Sequence, residues 1–323
     1  MIVFRDPSEV PDGFGPSVVA IGKFDGVHTG HRAVIDRLLQ DAAAADARAV
    51  AVTFDRNPLA VLRPDRCPEN VVSTERKLEL LGDLELDATL VLRFDEALAG
   101  LEAEDFVRQI LVDALQVETV LVGRDFRFGR GGAGDPELLR RLGPQHGFTV
   151  DVVEDVFRPG SDRRVSSSWI RELLAEGDVE QAADLLGRAP DVRGEVVHGL
   201  KRGRELGFPT ANLSDVVDAL VPADGVYAGW LVDHDTGIRH PAAVSVGTNP
   251  TFDDVLHRQV EAHVLDETTL DLYGHDVTVE FTHRLRGMVA FEGIEKLKVQ
   301  MAADVDAARE LLAADGDAAP WHP

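Results

Sequence analysis

The sequence predicts an α/β fold that gives way to an all-β fold, and three observations carry this reading. Between residues 18 and 153, short apolar runs rich in β-branched residues alternate with segments of helical spacing. That alternation builds a parallel sheet with helices on both faces. Between residues 192 and 281 the long helical repeats vanish, and short β segments are separated by Gly, Pro, Asp and Asn. Such a pattern suits an antiparallel barrel or sandwich. The chain has 323 residues, enough for two separate cores.

Each element follows from its local pattern. Residues 18–21 (VVAI) are an apolar run of the kind that fills a buried strand. Past Gly30, Ala33, Val34, Leu38 and Leu39 have helical spacing, so the order there is strand, loop, helix. Residues 49–54 (AVAVTF) are a second strand, and residues 73–81 open on a Ser/Thr cap before a helical repeat. Residues 88–92 are a third strand, 103–115 a helix, 119–122 a fourth strand and 149–153 a fifth. A connector holding Ala189 and Pro190 divides a first domain, 1–187, from a second, 191–314. The β segments of the second are GEVVHG, ANL, GVYAGWLVDH, HPAAVSVG, QVEAHVLD and HDVTVEFT. An amphipathic helix over 294–312 closes the chain, ahead of a loose tail.

Composition excludes several classes. Hydrophobic residues make up 44% and charged residues 28%, as in an ordinary globular protein. No apolar run approaches the ~18 residues of a membrane span, and residues 1–15 lack the layout of a signal peptide. The one cysteine, Cys67, forms no internal disulfide and reads as an incidental thiol, which points to the cytoplasm. A net charge of −24 repels phosphate backbones and speaks against a nucleic-acid binder. Cations that meet an anionic substrate must therefore be local, with Mg²⁺ screening the substrate. Arginine outnumbers lysine, as GC-rich coding or a salt-tolerant acidic surface would each produce.

Four stretches carry chemistry. In VVAIGKFDGVHTGH, Gly22 and Gly26 bracket a tight turn around Phe24 and Asp25, and His28 and His31 fall on the first turn of a helix. A helix start presents unpaired N–H groups and a positive dipole end, which suit a phosphate. Two imidazoles there can stabilise charge in a transition state. The same spacing would also serve two metal ligands or a structural pair. In VGRDFRFGRGGAGD, which holds Asp125, Phe126 and Phe128, the glycines permit close approach to an anion or ring. The two phenylalanines either pack on a heterocycle or belong to the core. VSSSWIR sets Ser167 and Ser168 at a helix start with Arg171 one turn on; this is a helix cap, or a cradle for pyrophosphate. In RGRELGFPTAN, beside the basic Arg204, Thr210 and Asn212 face one side of an extended segment and can share a hard cation such as Mg²⁺; a plain turn is the alternative. Glu261, flanked by Val260 and Ala262 that face the other way, is either a general base or a solvent-facing carboxylate.

These motifs resemble, in order and over nearly the whole chain, the bifunctional riboflavin kinase/FMN adenylyltransferase family, the bacterial FAD synthetases. The blocks are GKFDGVHTGH, VGRDFRFG, VSSSWIR, GFPTAN, PADGVYAG, SVGTNPTF and VEAHVLD. The resemblance implies a Rossmann-like nucleotidyltransferase domain followed by a six-stranded Greek-key β-barrel with a C-terminal helix. It implies that His28 and His31 stabilise the α-phosphate of ATP, with Gly22, Phe24, Asp25 and Gly26 in the same cradle. Ser167, Ser168 and Arg171 hold the departing phosphates, and Asp125, Phe126 and Phe128 bind flavin. In the second domain, Thr210 and Asn212 hold the Mg²⁺ of Mg–ATP, Arg204 is a phosphate contact, Glu261 activates riboflavin and Arg286 touches flavin. One departure stands out: the family commonly shows TF[DE]PHP, and this chain has Asn57 where the histidine falls. Asn57 carries no positive charge, so a riboflavin kinase with an impaired first domain is the alternative expectation. The expected partners are small molecules and flavoprotein recipients of FAD, with no nucleic acid or membrane; oligomeric state is left open.

Overall fold

The computed structural model describes residues 1–198, 207–214, 219–248, 258–267 and 270–316. By contacts the chain forms two compact units, Met1–Ser166 and Ser167–His322.

The first unit is a six-stranded, all-parallel sheet. Its strands are β1 (Ile2–Phe4), β2 (Ser17–Ile21), β3 (Arg48–Phe54), β4 (Ala88–Leu92), β5 (Val117–Gly123) and β6 (Thr149–Val153), in the order β1-β4-β3-β2-β5-β6. β2 and β4 are buried at every position, as expected of strands covered on both faces. Successive strands step from β2 through β3 to β4, and then β5 returns to the other side of β2. Crevices at such a reversal, beyond the carboxyl ends of the strands, are where α/β sheets bind ligands. β1 is not legible in the sequence, because three residues with only Phe4 buried leave no alternation to read. The main helices of this unit are α1 (Thr29–Ala45), α2 (Thr74–Gly82) and α3 (Pro136–His146). The helix expected over 103–115 is an α-helical turn, Ala103–Phe106, followed by a wider π-type segment, Val107–Ala114. Phe106, Val107, Ile110 and Leu111 all reach the core from it.

The second unit opens with α4 (Ser167–Glu176) and α5 (Val179–Leu186). Six antiparallel strands follow: β7 (Asp191–Val197), β8 (Ala211–Leu213), β9 (Gly225–Asp233), β10 (Arg239–Thr248), β11 (Arg258–Val264) and β12 (Asp276–Arg286). They close a barrel in the order β10-β11-β8-β7-β12-β9. β9, β10 and β11 are sequential neighbours while β8 lies on the far side of β11, which is a Greek-key connection. Val244, Val246, Val260, Ala262, Val277, Val279 and Phe281 are buried in it. Gly229 marks its tightest point, since an added Cβ would lie 1.9 Å from the Glu280 carbonyl oxygen. The closing helix α6 (Ile294–Ala314) buries Ala308 and Leu312 against Ala228, Ala243 and Leu265.

Helices α4 and α5 are tied to the barrel. The Ala223 N–H donates to the Leu174 carbonyl at 2.8 Å. The Arg284 guanidinium on β12 donates to the carbonyls of Glu176 and, at 3.2 Å, Asp224. No helix among the described residues is long and apolar enough to cross a membrane.

Candidate functional site

The loop after β2 leads directly into the start of α1. Phe24 and Val27 take positive φ of 48° and 40°, a region that costs a bulky residue energy and is found where a site must be held in one shape. His28 is the N-cap of α1: its Nδ1 accepts from the His31 N–H at 3.2 Å. An accepting Nδ1 places the proton of a neutral ring on Nε2. The two imidazoles stack with centroids 3.6 Å apart, and Phe24 meets His31 edge-on at 5.3 Å. Gly30 has a steric reason, because an added Cβ would lie 3.1 Å from the His28 ring. Burial, then the neighbouring His28 and Lys77, hold the His31 pKa well below the ordinary imidazole range. Its Nδ1 is buried and meets no hydrogen-bond partner among the described residues. A neutral imidazole with an unsatisfied buried nitrogen at a helix start fits a phosphate ligand.

Around this loop the strand ends are cross-linked. The Asp25 carboxylate accepts from the Val71 N–H at 2.9 Å, and Thr53 Oγ1 donates to the Lys23 carbonyl at 3.0 Å. Lys77, on α2, is 7% exposed and donates to the Phe54 carbonyl at 2.8 Å. A cavity here is lined by Lys23, Asp25, Phe54, Arg56, Asn57, Asn70, Val72, Thr74 and Lys77. Asn57 Oδ1 accepts from the Leu59 N–H at 3.1 Å.

After β5, Asp125 is exposed and pairs with Arg164 at 3.2 Å. Phe126 and Phe128 stack at 5.4 Å, but Phe128 is buried and packs on Phe106. Of the two readings of this pair, the core one describes Phe128, and only Phe126 keeps a partly open face. Ser167, Ser168 and Arg171 occupy the first turn of α4. Val165, two residues earlier, passes Gly30 with its carbonyl oxygen 3.8 Å from the position of an added Cβ.

The barrel carries the second cluster. Glu261 on β11 lies opposite Asn212 on β8 and Ser245 on β10. Paired residues share a face, and the alternate residues Val260 and Ala262 are buried. Thr210 Oγ1 donates to Glu261 Oε2 at 3.4 Å, and Asn212 Nδ2 donates to Thr210 Oγ1 at 3.2 Å. Asn212 Oδ1 accepts from Gln259 Nε2 at 3.2 Å. Burial pushes the Glu261 pKa up, and the Thr210 hydroxyl offsets part of the rise. A carboxylate, a hydroxyl and an amide oxygen are the hard oxygen donors that Mg²⁺ prefers. His263, two residues along, bonds the Pro209 carbonyl at 2.8 Å and so supports the segment that carries Thr210. Arg286 is engaged elsewhere: its guanidinium grips the buried Asp304 of α6 at 2.7 Å and lies over Phe291 at 5.7 Å. Arg204 lies outside the described residues.

A third group, Asp233, Asp235 and His275, brings three ligand-type atoms within 4.8 Å. The Asp233 oxygens there already accept from the Asp235 N–H, the Thr236 hydroxyl and His275. Two clusters of polar side chains, one on a parallel sheet and one on a closed barrel, make this a two-module protein.

The comparisons agree. Residues 12–169 match the FAD synthetase family and residues 186–312 the riboflavin kinase family. The bifunctional riboflavin kinase/FMN adenylyltransferase of Escherichia coli K12 is 35% identical over 91% of this chain and 92% of its own length. That of Pseudomonas fluorescens is 38% identical over 92% and 93%. A crystal structure from Streptococcus pneumoniae, titled macrolide-efflux protein, superposes with a TM-score of 0.84 at 29% identity and covers 95% of this chain and 98% of that one. The chain belongs to the bifunctional riboflavin kinase/FMN adenylyltransferase family.

Sequence reasoning missed Lys77. A lysine in the run ERKLELL reads as solvated, and only its contact with the ends of two strands sets it apart.

Proposed function

We propose that the chain phosphorylates riboflavin to FMN in the barrel and adenylylates FMN to FAD in the sheet domain, using ATP for both. The observation that carries this is the Thr210–Asn212–Glu261 cluster on the barrel, in a chain whose first unit separately presents the stacked His28–His31 pair at a helix start. In functional terms the division falls between 1–187 and 191–314, so α4 and α5 serve the adenylylation domain while packing on the barrel.

In the barrel, Glu261 accepts the proton of the riboflavin 5′-hydroxyl as that oxygen attacks the γ-phosphorus of ATP; ADP leaves. Its raised pKa strengthens it as a base. Thr210 and Asn212 would hold Mg²⁺ through their side-chain oxygens, where it would supply positive charge beside the transferring phosphoryl group. Arg204 is the proposed further phosphate contact, and Arg286, fixed by Asp304, borders the flavin.

In the sheet domain the FMN phosphate attacks the α-phosphorus of a second ATP. His28 and His31 donate to the oxygens that gain charge, within the turn formed by Gly22, Phe24, Asp25 and Gly26. Ser167, Ser168 and Arg171, at the start of α4, take the departing pyrophosphate. Asp125 and Phe126 border the flavin, with Phe128 backing Phe126 from the core. The reading places the protein in the cytoplasm, with flavoproteins as the recipients of its FAD.

The test is product analysis. Purified chain with riboflavin, ATP and Mg²⁺ is expected to yield FMN and then FAD by chromatography. FMN alone would leave only the kinase half, and no turnover of either flavin would overturn the reading.

A further inference from the structure

Lys77 is a buried cation that neither step uses. It stands on the first turns of α2, 7% exposed, at the carboxyl ends of β2 and β3. Its Nζ donates to the Phe54 carbonyl at 2.8 Å and lies 3.5 Å from the Lys23 carbonyl. Both partners are neutral. Asp25, Asp55 and Glu75 attract it without forming an ion pair with it; Asp25 accepts from the Val71 N–H, and Asp55 from the Phe94 N–H and the Arg56 guanidinium. Burial disfavours this ammonium and lowers its pKa, and an anion that meets it directly offsets that cost.

The surroundings say which anion. Lys77 lines the cavity that also holds Asn57, and its field reaches His31. Two anions must meet in the adenylylation cleft, the phosphate of the nucleophile and the α-phosphate of ATP, in a chain of net charge −24. The other cations lining the cavity are less suited: Lys23 is exposed, and Arg56 is exposed and paired with Asp55 at 2.9 Å. We propose that Lys77 is a substrate-binding residue of the sheet domain: its ammonium, held by strand-end carbonyls, meets the phosphate monoester of the incoming flavin nucleotide and supplies the positive charge that Asn57 lacks. The proposal rests on the adenylyl-transfer reading above. It differs from a structural staple in one respect, because a staple needs only donors to two carbonyls whereas this role needs the charge.

The full-length Lys77→Gln variant keeps a donor and loses the charge; Lys77→Arg keeps both. With FMN and ATP supplied, Lys77→Gln is expected to raise KM for FMN at least tenfold and leave KM for ATP within twofold. Lys77→Arg is expected to recover most of the loss, and FMN formation from riboflavin stays within twofold in both. An unchanged KM for FMN in Lys77→Gln overturns the proposal, as does a loss confined to kcat. If Lys77→Gln does not fold, the wild-type chain decides. Pyridoxal 5′-phosphate with borohydride is expected to label Lys77, with FMN protecting it; no label, or no protection, overturns the proposal. A wild-type chain that makes no FAD from FMN would instead bring down the adenylyl-transfer reading itself.

Discussion

The two clusters differ in the one group that the chemistry of their nucleophiles demands. The barrel presents a carboxylate whose pKa burial has raised; the loop after β2 presents a stacked imidazole pair of which His31 is held neutral, a helix start and a buried ammonium. Riboflavin attacks through a neutral hydroxyl, which must lose a proton to something. FMN attacks through a phosphate that is already anionic, so it needs no base, and the Asp25 carboxylate that lines the cavity is held by the Val71 N–H. What that second step requires is relief of the repulsion between two phosphates. The contents of each site follow from the charge of its attacking atom.

Three experiments sharpen or break this contrast. The largest effect is expected for Glu261→Gln, which removes the base and should lower FMN formation by about 10³-fold, within the usual span of general-base catalysis. FAD formation from supplied FMN should be untouched; a parallel fall in both activities would deny separate sites. His28→Ala is expected to do the reverse, costing about 10²-fold in FAD formation by analogy with a lost oxyanion donor. Because His28 also caps α1, this variant should lose about 1 kcal/mol of stability as well, and a melting curve beside the kinetics separates the two.

The smallest and most diagnostic effect is in pH. Glu261 must be ionised to act and its pKa is raised, so kcat/KM for riboflavin should decline at a higher pH than an ordinary glutamate would give. For FMN adenylylation the sign is opposite. His31 stays neutral to below the ordinary imidazole range, so its limb lies at lower pH than a solvated histidine would give. Below about pH 6.5 the unfolded chain takes up a proton at this position that the folded chain refuses. The stability contributed there is present above that pH and is lost as pH falls. An acid limb for riboflavin phosphorylation at the pH of an ordinary glutamate, or one for FMN adenylylation at the pH of a solvated histidine, would contradict the assignment.

Much of this was legible in the sequence because it rests on local pattern. The buried strands β2, β3 and β4 and the TVLV stretch of β5 announce themselves by apolar runs, β6 less so because Asp151 interrupts it, and the loop after β2 by its glycines and paired histidines. Alternation around Glu261 gave its face correctly, since Val260 and Ala262 do point into the barrel. What the sequence does not announce is long-range. Arg286 is expected at the flavin, and its ion pair with Asp304, 18 residues on, has no local signal. Phe128 reads as a ring for stacking until Phe106 packs on it. Lys77 looks solvated until α2 docks on the ends of β2 and β3. Charge compensation and packing between distant segments have no period, so no repeat in the chain announces them.

The closure of the barrel also bears on how copies of the chain could associate. Every strand of the barrel has hydrogen-bonding neighbours on both sides, whereas the sheet ends at β1 and β6. Pairing with a foreign strand requires an open edge. β1 offers just three residues, and β6 carries Asp151 in an ion pair with Arg37 at 3.2 Å. Cross-chain β addition, where it occurs at all in this protein, is thereby confined to two short or charged borders of the sheet and denied to the half that handles the vitamin.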